Sequence, residues 1–462
     1  MRKILVLDLL VILVTFGCQT IGRWIPFLAE APPPTVESPA EIGTTDTASP
    51  PTPTAILPTL TLTPSPISPT YTPTHAVTPS AEQIAIFEEL WQIVRDEYLY
   101  PDYNGVDWEA VGVEYRQRVQ SGMTPEAFYQ AMDEMLSLLN DDHSVFLSPQ
   151  EVAEEEAEYA GETNYVGIGV LISAVPEREY GTIILTFPDS PAAGAGIQPH
   201  DNILSVDGQP ILDEFGFLRS ELLLGEPNTS LEIVVQTPGE ATRTLNLIRR
   251  QISGALPVPH QILFTPSGKR IGYLLLASLA DVTIDDQVED ALREMSSEGA
   301  LDGVILDNRQ NSGGADTVAQ GVLALFTSGR LGYFTNRHQE RRWFEVRGKN
   351  VAASAKLPLV VLIGKDTVSF GEIISGILRD QNRAYLIGMP TEGNIELLWS
   401  YDFRDGSRAW IAHERFVPIN HPEQDWEKTG IQPDLFIASN WDEVTLSTDP
   451  TILAALEYFD QP

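Results

Sequence analysis

KDTVSFGEIISGILRD, residues 365–380, follows a run of β-branched and leucine side chains, LVVLI at 359–363, that ends at Gly364. The run predicts a buried strand. From Gly371 onward Ile373, Ile374, Ile377 and Leu378 recur on one helical face, which predicts a helix. Ser369 therefore falls where a buried strand hands over to a helix. At such a place a hydroxyl can be presented at a sheet edge, with backbone N–H groups and the helix N-terminus ready to stabilise a developing oxyanion. A serine there is also an ordinary helix N-cap. The rest of the chain has to decide between the two.

Working outward, strands and helices alternate from Arg270 on, which predicts an α/β core. IGYLL at 271–275 reads as a strand, residues 283–295 as an amphipathic helix capped by Thr283, and GVILD at 303–307 as another strand. That strand runs into NRQNSGG, where Gly313 and Gly314 permit close backbone approach and can aim an N–H at a bound carbonyl oxygen. Between 161 and 250 short strands separated by turns replace this alternation. Residues 81–140 read as helices, with Ile84, Phe87, Leu90, Trp91 and Val94 on one face and Phe128, Met132, Met135, Leu136 and Leu139 on another. His143 follows two aspartates where these helices pass into a loop.

The formal net charge of −36 over 462 residues excludes nucleic-acid binding through a bulk basic surface. MRKILVLDLLVILVTFGC opens with Arg2 and Lys3 and an apolar run too short to span a bilayer comfortably, and ends at the single cysteine, Cys18. This resembles a bacterial lipoprotein signal in which Cys18 becomes the lipidated residue, although Asp8, Thr15 and Phe16 depart from the pattern; a cleaved signal or an uncleaved anchor would equally export the chain. With one cysteine no internal disulfide forms. Residues 31–80, dominated by Pro, Thr and Ser, cannot bury enough apolar surface to fold and read as a tether. No cluster has metal-ligand spacing and no dinucleotide or phosphate-loop fingerprint appears, so neither metal nor cofactor is expected.

Residues 161–250 resemble a PDZ domain of the circular permutation found in bacterial proteases. The resemblance rests on Val166-Gly167-Ile168-Gly169-Val170, on Ser190-Pro191-Ala192 leading into Ala195-Gly196-Ile197, and on Asp201-Asn202-Ile203 leading to Val206-Asp207-Gly208. It implies that Val166, Gly167, Ile168 and Gly169 offer backbone N–H groups to a peptide's terminal carboxylate. In order along the chain, DDHSVFLSP, the PDZ-like stretch, IGYLLLASL, GVILDNRQNSGG, SFGEIISGILRD, IGMPTEG and TGIQPD together resemble the carboxy-terminal processing, or tail-specific, serine peptidases. The implied architecture is an α/β, crotonase- or ClpP-like protease core at 256–462. An N-terminal helical part at 81–158 and an inserted, mainly β PDZ domain at 159–255 precede it, after a signal at 1–18 and a linker at 19–80. The resemblance places Ser369 as nucleophile, Gly313 or Gly314 with the Phe370 N–H as oxyanion hole, and Asp380 at a structural or assisting acidic position. The implied substrate is a protein or peptide, bound through a C-terminal or extended segment and cut through an acyl-enzyme. The implied place is the outer face of a bacterial cell membrane, held by the lipid anchor.

The general base departs from the pattern. Serine–lysine members carry lysine where this chain has Asn394, whose amide has no basic lone pair near neutral pH. Lys365 lies across the turn, with nothing to desolvate its ammonium. A tricorn-like branch uses histidine, oriented by a serine and by a glutamate three residues before the Gly of the last motif; here those positions read His143 and Glu427, with Asp142 in place of the serine. Three readings stay open: His143 backed by Glu427 or Asp142, another base such as Glu396 or His413, or no base. The last would make the chain a catalytically inactive peptide-binding lipoprotein on the protease scaffold.

Overall fold

The computed structural model describes residues 78–141, 143–159 and 165–461. Cys18 and the tether lie outside these residues. Leu359–Ile363 is a strand with all five residues buried. It lies inside a six-stranded sheet in the order 260–264, 270–275, 303–307, 359–363, 385–388 and 435–436, of which only the first pair is antiparallel. Parallel strands are covered on both faces, which is why LVVLI and GVILD read as unbroken apolar runs. Ile284–Ser297, Asp316–Phe326, Phe370–Asp380 and Pro450–Asp460 are helices that share one buried cluster with these strands. Thr283 stands at the first helix's cap position but makes no cap; its hydroxyl donates to Asp281 Oδ1 at 2.7 Å.

The helices Ala81–Glu97, Trp108–Gln120 and Pro125–Ser137 start at Ser80, Asp107 and Thr124, each of whose side chains accepts a first-turn N–H. Their apolar faces form a second cluster with Trp410, Ile411 and Ala412 of the strand Arg408–Pro418. That strand belongs to a five-stranded antiparallel sheet and pairs with Val145–Leu147, the short strand that follows His143. Burial of the helices therefore sets where His143 stands. Residues 165–252 form a separate six-stranded antiparallel sheet, with Val170–Val175 at one edge, and a two-stranded pair, Tyr165–Gly167 with Arg250–Ile252.

A buried charge cluster ties these parts together beneath the 308–314 turn. The Arg309 guanidinium bridges Asp307 Oδ2 at 2.6 Å and Asp449 Oδ2 at 2.5 Å and lies over the Trp441 ring. Trp441 in turn stacks on His200 and donates its indole N–H to Ile183 of the 165–252 sheet. Removing one partner of a buried ion pair strands the other charge. Asp449→Ala should therefore cost about 3–5 kcal/mol of unfolding free energy, read as a fall in the denaturant midpoint; an unchanged midpoint contradicts this role for the cluster.

Candidate active site

Ser369 stands just before Phe370–Asp380 in the cap position, yet its side chain makes no cap hydrogen bond, and its backbone is at φ 53° and ψ −125°. A non-glycine residue there is strained by about 1–3 kcal/mol and persists only when its surroundings fix it. Three contacts do so. The Ser369 N–H donates to the Asn394 carbonyl at 2.7 Å, the Val368 N–H donates to the Asn311 carbonyl at 2.8 Å, and the Thr367 hydroxyl donates to the Asn308 carbonyl at 2.9 Å. Asn308 Nδ2 reaches the helix itself, donating to the Gly371 carbonyl at 2.7 Å. The 308–314 turn is thus fastened to the start of the Ser369 helix.

Gly313, at φ 88°, lies against the serine: a methyl there would sit 2.6 Å from Ser369 Cβ and 3.0 Å from its Oγ, so only glycine fits. The Gly313 N–H donates to Asn311 Oδ1 at 2.8 Å. Among the described residues no acceptor takes the N–H of Gly314 or of Phe370. Of the pair Gly313 and Gly314, it is Gly314 whose donor is free.

Sequence reasoning did not single out Glu372. Spaced three residues after Ser369, it fits a reciprocal helix cap, but its carboxylate turns away from the Ser369 N–H. It is fully buried and accepts the Thr391 hydroxyl, the Gly393 N–H at 3.0 Å and the Asn394 N–H at 2.8 Å. Burial pushes its pKa up to about 7 against those hydrogen bonds. Glu372 thereby holds the 391–394 loop whose last carbonyl pins Ser369. Asp380 lies at the other end of the 11-residue helix, about 16 Å along the axis, where its carboxylate pairs with His421 at 2.7 Å and accepts the Asn420 N–H. It anchors the 420 turn and does not touch Ser369's surroundings.

The strand entering from Asn394 gathers the acid–base groups. The Ile395 N–H donates to Glu427 Oε2 at 2.7 Å, and Glu396 Oε2 lies 3.0 Å from His143 Nε2, with Glu427 Oε1 at 3.9 Å from the same nitrogen. Glu396, rather than Glu427, is therefore the nearer carboxylate to His143. The Tyr100 hydroxyl donates to Glu396 Oε1, and Asp141 fixes the histidine's backbone by accepting its N–H at 3.1 Å. Asn394 and Glu396 are two residues apart, at most about 7 Å along the chain, so Ser369 and His143 bond to neighbouring points of one segment. Burial by itself would lower the His143 pKa, but the nearby Glu396 and Glu427 carboxylates raise it to about 10. Burial pushes the Glu396 carboxyl up, offset in part by His143. His413 stands apart, stacked on Trp399 with Nε2 3.3 Å from Glu97.

In the 165–252 sheet the carbonyls of Val166, Ile168 and Gly169 accept the N–H groups of Gly225, Ala192 and Phe187. The Ile168 and Gly169 N–H groups have no acceptor among the described residues. A cavity of about 330 Å³ lies between Ser173–Arg178 on the edge-strand side and Gln310, Lys365 and Asp366 on the turns leading to Gly313 and Ser369.

Residues 270–437 match peptidase family S41, and residues 79–137 match the tricorn protease C1 domain. The chain is similar to carboxyl-terminal-processing proteases. It is 29% identical over 392 residues to the carboxyl-terminal-processing protease of Synechocystis sp., covering 82% of this chain and 88% of that one. It is 28% identical over 381 residues to the chloroplastic C-terminal processing peptidase of Tetradesmus obliquus, covering 79% and 78% of the two chains. The solved structure of a photosystem II D1 C-terminal processing protease aligns with a TM-score of 0.54 and 26% identity over 78% of this chain and 93% of that one. Family S41 peptidases are serine-type peptidases.

Two measurements test the loop and the buried histidine. Glu372→Gln turns an amide N–H₂ toward at least one of the Gly393 and Asn394 donors, so stability at pH 8 should drop by about 1–3 kcal/mol and both amides should exchange faster with solvent; wild-type exchange contradicts the latch. His143 has a folded pKa raised from 6.5 to about 10, so its stabilisation is complete below about 6.5 and is lost as pH rises through about 10. In urea titrations His143→Gln should flatten that fall, and an unaltered fall contradicts the assignment.

Proposed function

We propose that this chain is an exported serine endopeptidase that captures protein tails on a PDZ domain at 159–255 and hydrolyses peptide bonds through an acyl-enzyme on Ser369. The observation that carries the reading is the Ser369 backbone, held at φ 53° at a helix N-terminus with its hydroxyl unused as a cap and Gly313 pressed against it. That arrangement exposes a nucleophile where the Gly314 and Phe370 N–H groups can hold an oxyanion. Unlike an ordinary cap, it leaves the serine with no structural task.

His143 serves as general base and Asn394 keeps only a backbone role. With Nε2 facing Glu396 and Glu427, Nδ1 is the nitrogen that takes the serine proton. The two carboxylates then steady the imidazolium formed as the serine attacks and the tetrahedral intermediate forms; on collapse the imidazolium returns that proton to the leaving amine. Capture uses two features: the Ile168 and Gly169 N–H groups for a terminal carboxylate, and the free edge of Val170–Val175 for strand addition. The cavity between that edge and Gln310 and Lys365 gives the tail a route toward Ser369. Export and anchoring rest on the lipoprotein-like pattern ending at Cys18, with 19–80 as tether.

A second reading, a peptide-binding protein without turnover, has its own observation: the same carboxylates keep His143 protonated near neutral pH, when a base must be neutral. A fluorophosphonate probe separates them. Labelling that maps to Ser369 and vanishes in Ser369→Ala is expected, with His143→Ala slowing it by at least about 100-fold while the fold is retained. A folded protein that never labels contradicts the peptidase reading.

A further inference from the structure

The buried cluster beside the 394–396 segment is arranged in a way that an ion pair alone does not account for. Glu396 is only 4% exposed, and the Tyr100 hydroxyl occupies its Oε1. Its Oε2 lies 3.0 Å from His143 Nε2 yet accepts no aligned hydrogen bond among the described residues, so the ring N–H direction does not run along that line. Glu427 is held in the same manner: Oε2 accepts the Ile395 N–H, while Oε1 is on the His143 side. Each carboxylate thus has one oxygen fixed by a protein donor and the other left facing the imidazole. The three remaining atoms lie within 4.8 Å of one another.

Donors bonded at about 2.0–2.2 Å to one metal ion stand about 3–3.5 Å apart; His143 Nε2 and Glu396 Oε2 are 3.0 Å apart, and Glu427 Oε1, at 3.9 Å from the same nitrogen, has to move in by a few tenths of an ångström. Two carboxylates also carry the charge that one divalent cation balances, which a single imidazolium does not. We propose that His143 Nε2, Glu396 Oε2 and Glu427 Oε1 form a site for one divalent cation of the zinc class, and that the bound cation switches the peptidase off. The site takes an imidazole and two carboxylate oxygens, a donor set suited to zinc, whose fourth ligand would be water. The Tyr100 hydroxyl and the Ile395 N–H are its outer supports. The switch rests on His143 being the base: a neutral imidazole bound to metal through Nε2 carries its proton on Nδ1, so neither nitrogen can accept the Ser369 proton.

The test is calorimetric titration of the full chain with Zn²⁺, alongside probe labelling with and without Zn²⁺. One ion per chain is expected, unchanged in Ser369→Ala, weakened at least tenfold in His143→Ala, Glu396→Gln and Glu427→Gln, and weakened measurably in Tyr100→Phe. Absence of saturable binding, or equal affinity in the His143 and Glu396 variants with native circular dichroism, overturns the site. Labelling of Ser369 that proceeds at the same rate with the ion bound overturns the switch alone. If Ser369 never labels, the peptidase reading falls, while the titration still decides the site.

Discussion

Ser369's backbone, held at φ 53° by an N–H bond to the Asn394 carbonyl, is the constraint on which the rest depends. Strain of that kind relaxes unless neighbouring structure prevents it. Here three separate segments converge to prevent it: the 308–314 turn, the 391–394 loop and the helix Phe370–Asp380. Each is tied to another by a buried side chain, Asn308 on one side and Glu372 on the other, while Asn311 braces the turn from within. Behind them Arg309, clamped by Asp307 and Asp449, fixes the base of the turn to the six-stranded sheet and to Trp441.

Much of the framework could be read from residue order, because it follows from one-dimensional rules. Five consecutive apolar residues at 359–363 mean a strand covered on both faces, and the isoleucines of 373–377 mean a helix face. The helix proved to start at Phe370, one residue before the glycine suggested by pattern. Ser369 was legible as a place but not as a conformation, since a cap and a strained exposed serine occupy the same position in a strand–turn–helix sequence. The capping-box spacing of Ser369 and Glu372 is a usable signal that points the wrong way: the carboxylate is recruited by a loop nearly twenty residues further on. Thr283 shows the same limit, its hydroxyl drawn to Asp281 instead of the helix.

The acid–base groups were partly legible. His143 and Glu427 were named from motif position, and Glu396 only as one alternative base. Spacing could not say that Glu396 is the nearer partner, because that depends on the helices packing on Trp410 and Ile411 and so carrying Tyr100 and His143 to the strand. Nor could it show that Gly313's N–H is already given to Asn311. Such outcomes come from long-range packing, which no local pattern encodes.

The central claim is that Ser369 acts through a histidine held protonated by buried carboxylates. The rate of Ser369 acylation by an activated ester, followed between pH 7 and 11, tests it most directly. With the His143 pKa near 10, the neutral base grows about tenfold per pH unit up to that value, so the rate should climb with unit slope and level off near pH 10. A rate that is flat over this range in the wild type, or that keeps the same profile in His143→Ala, contradicts the account.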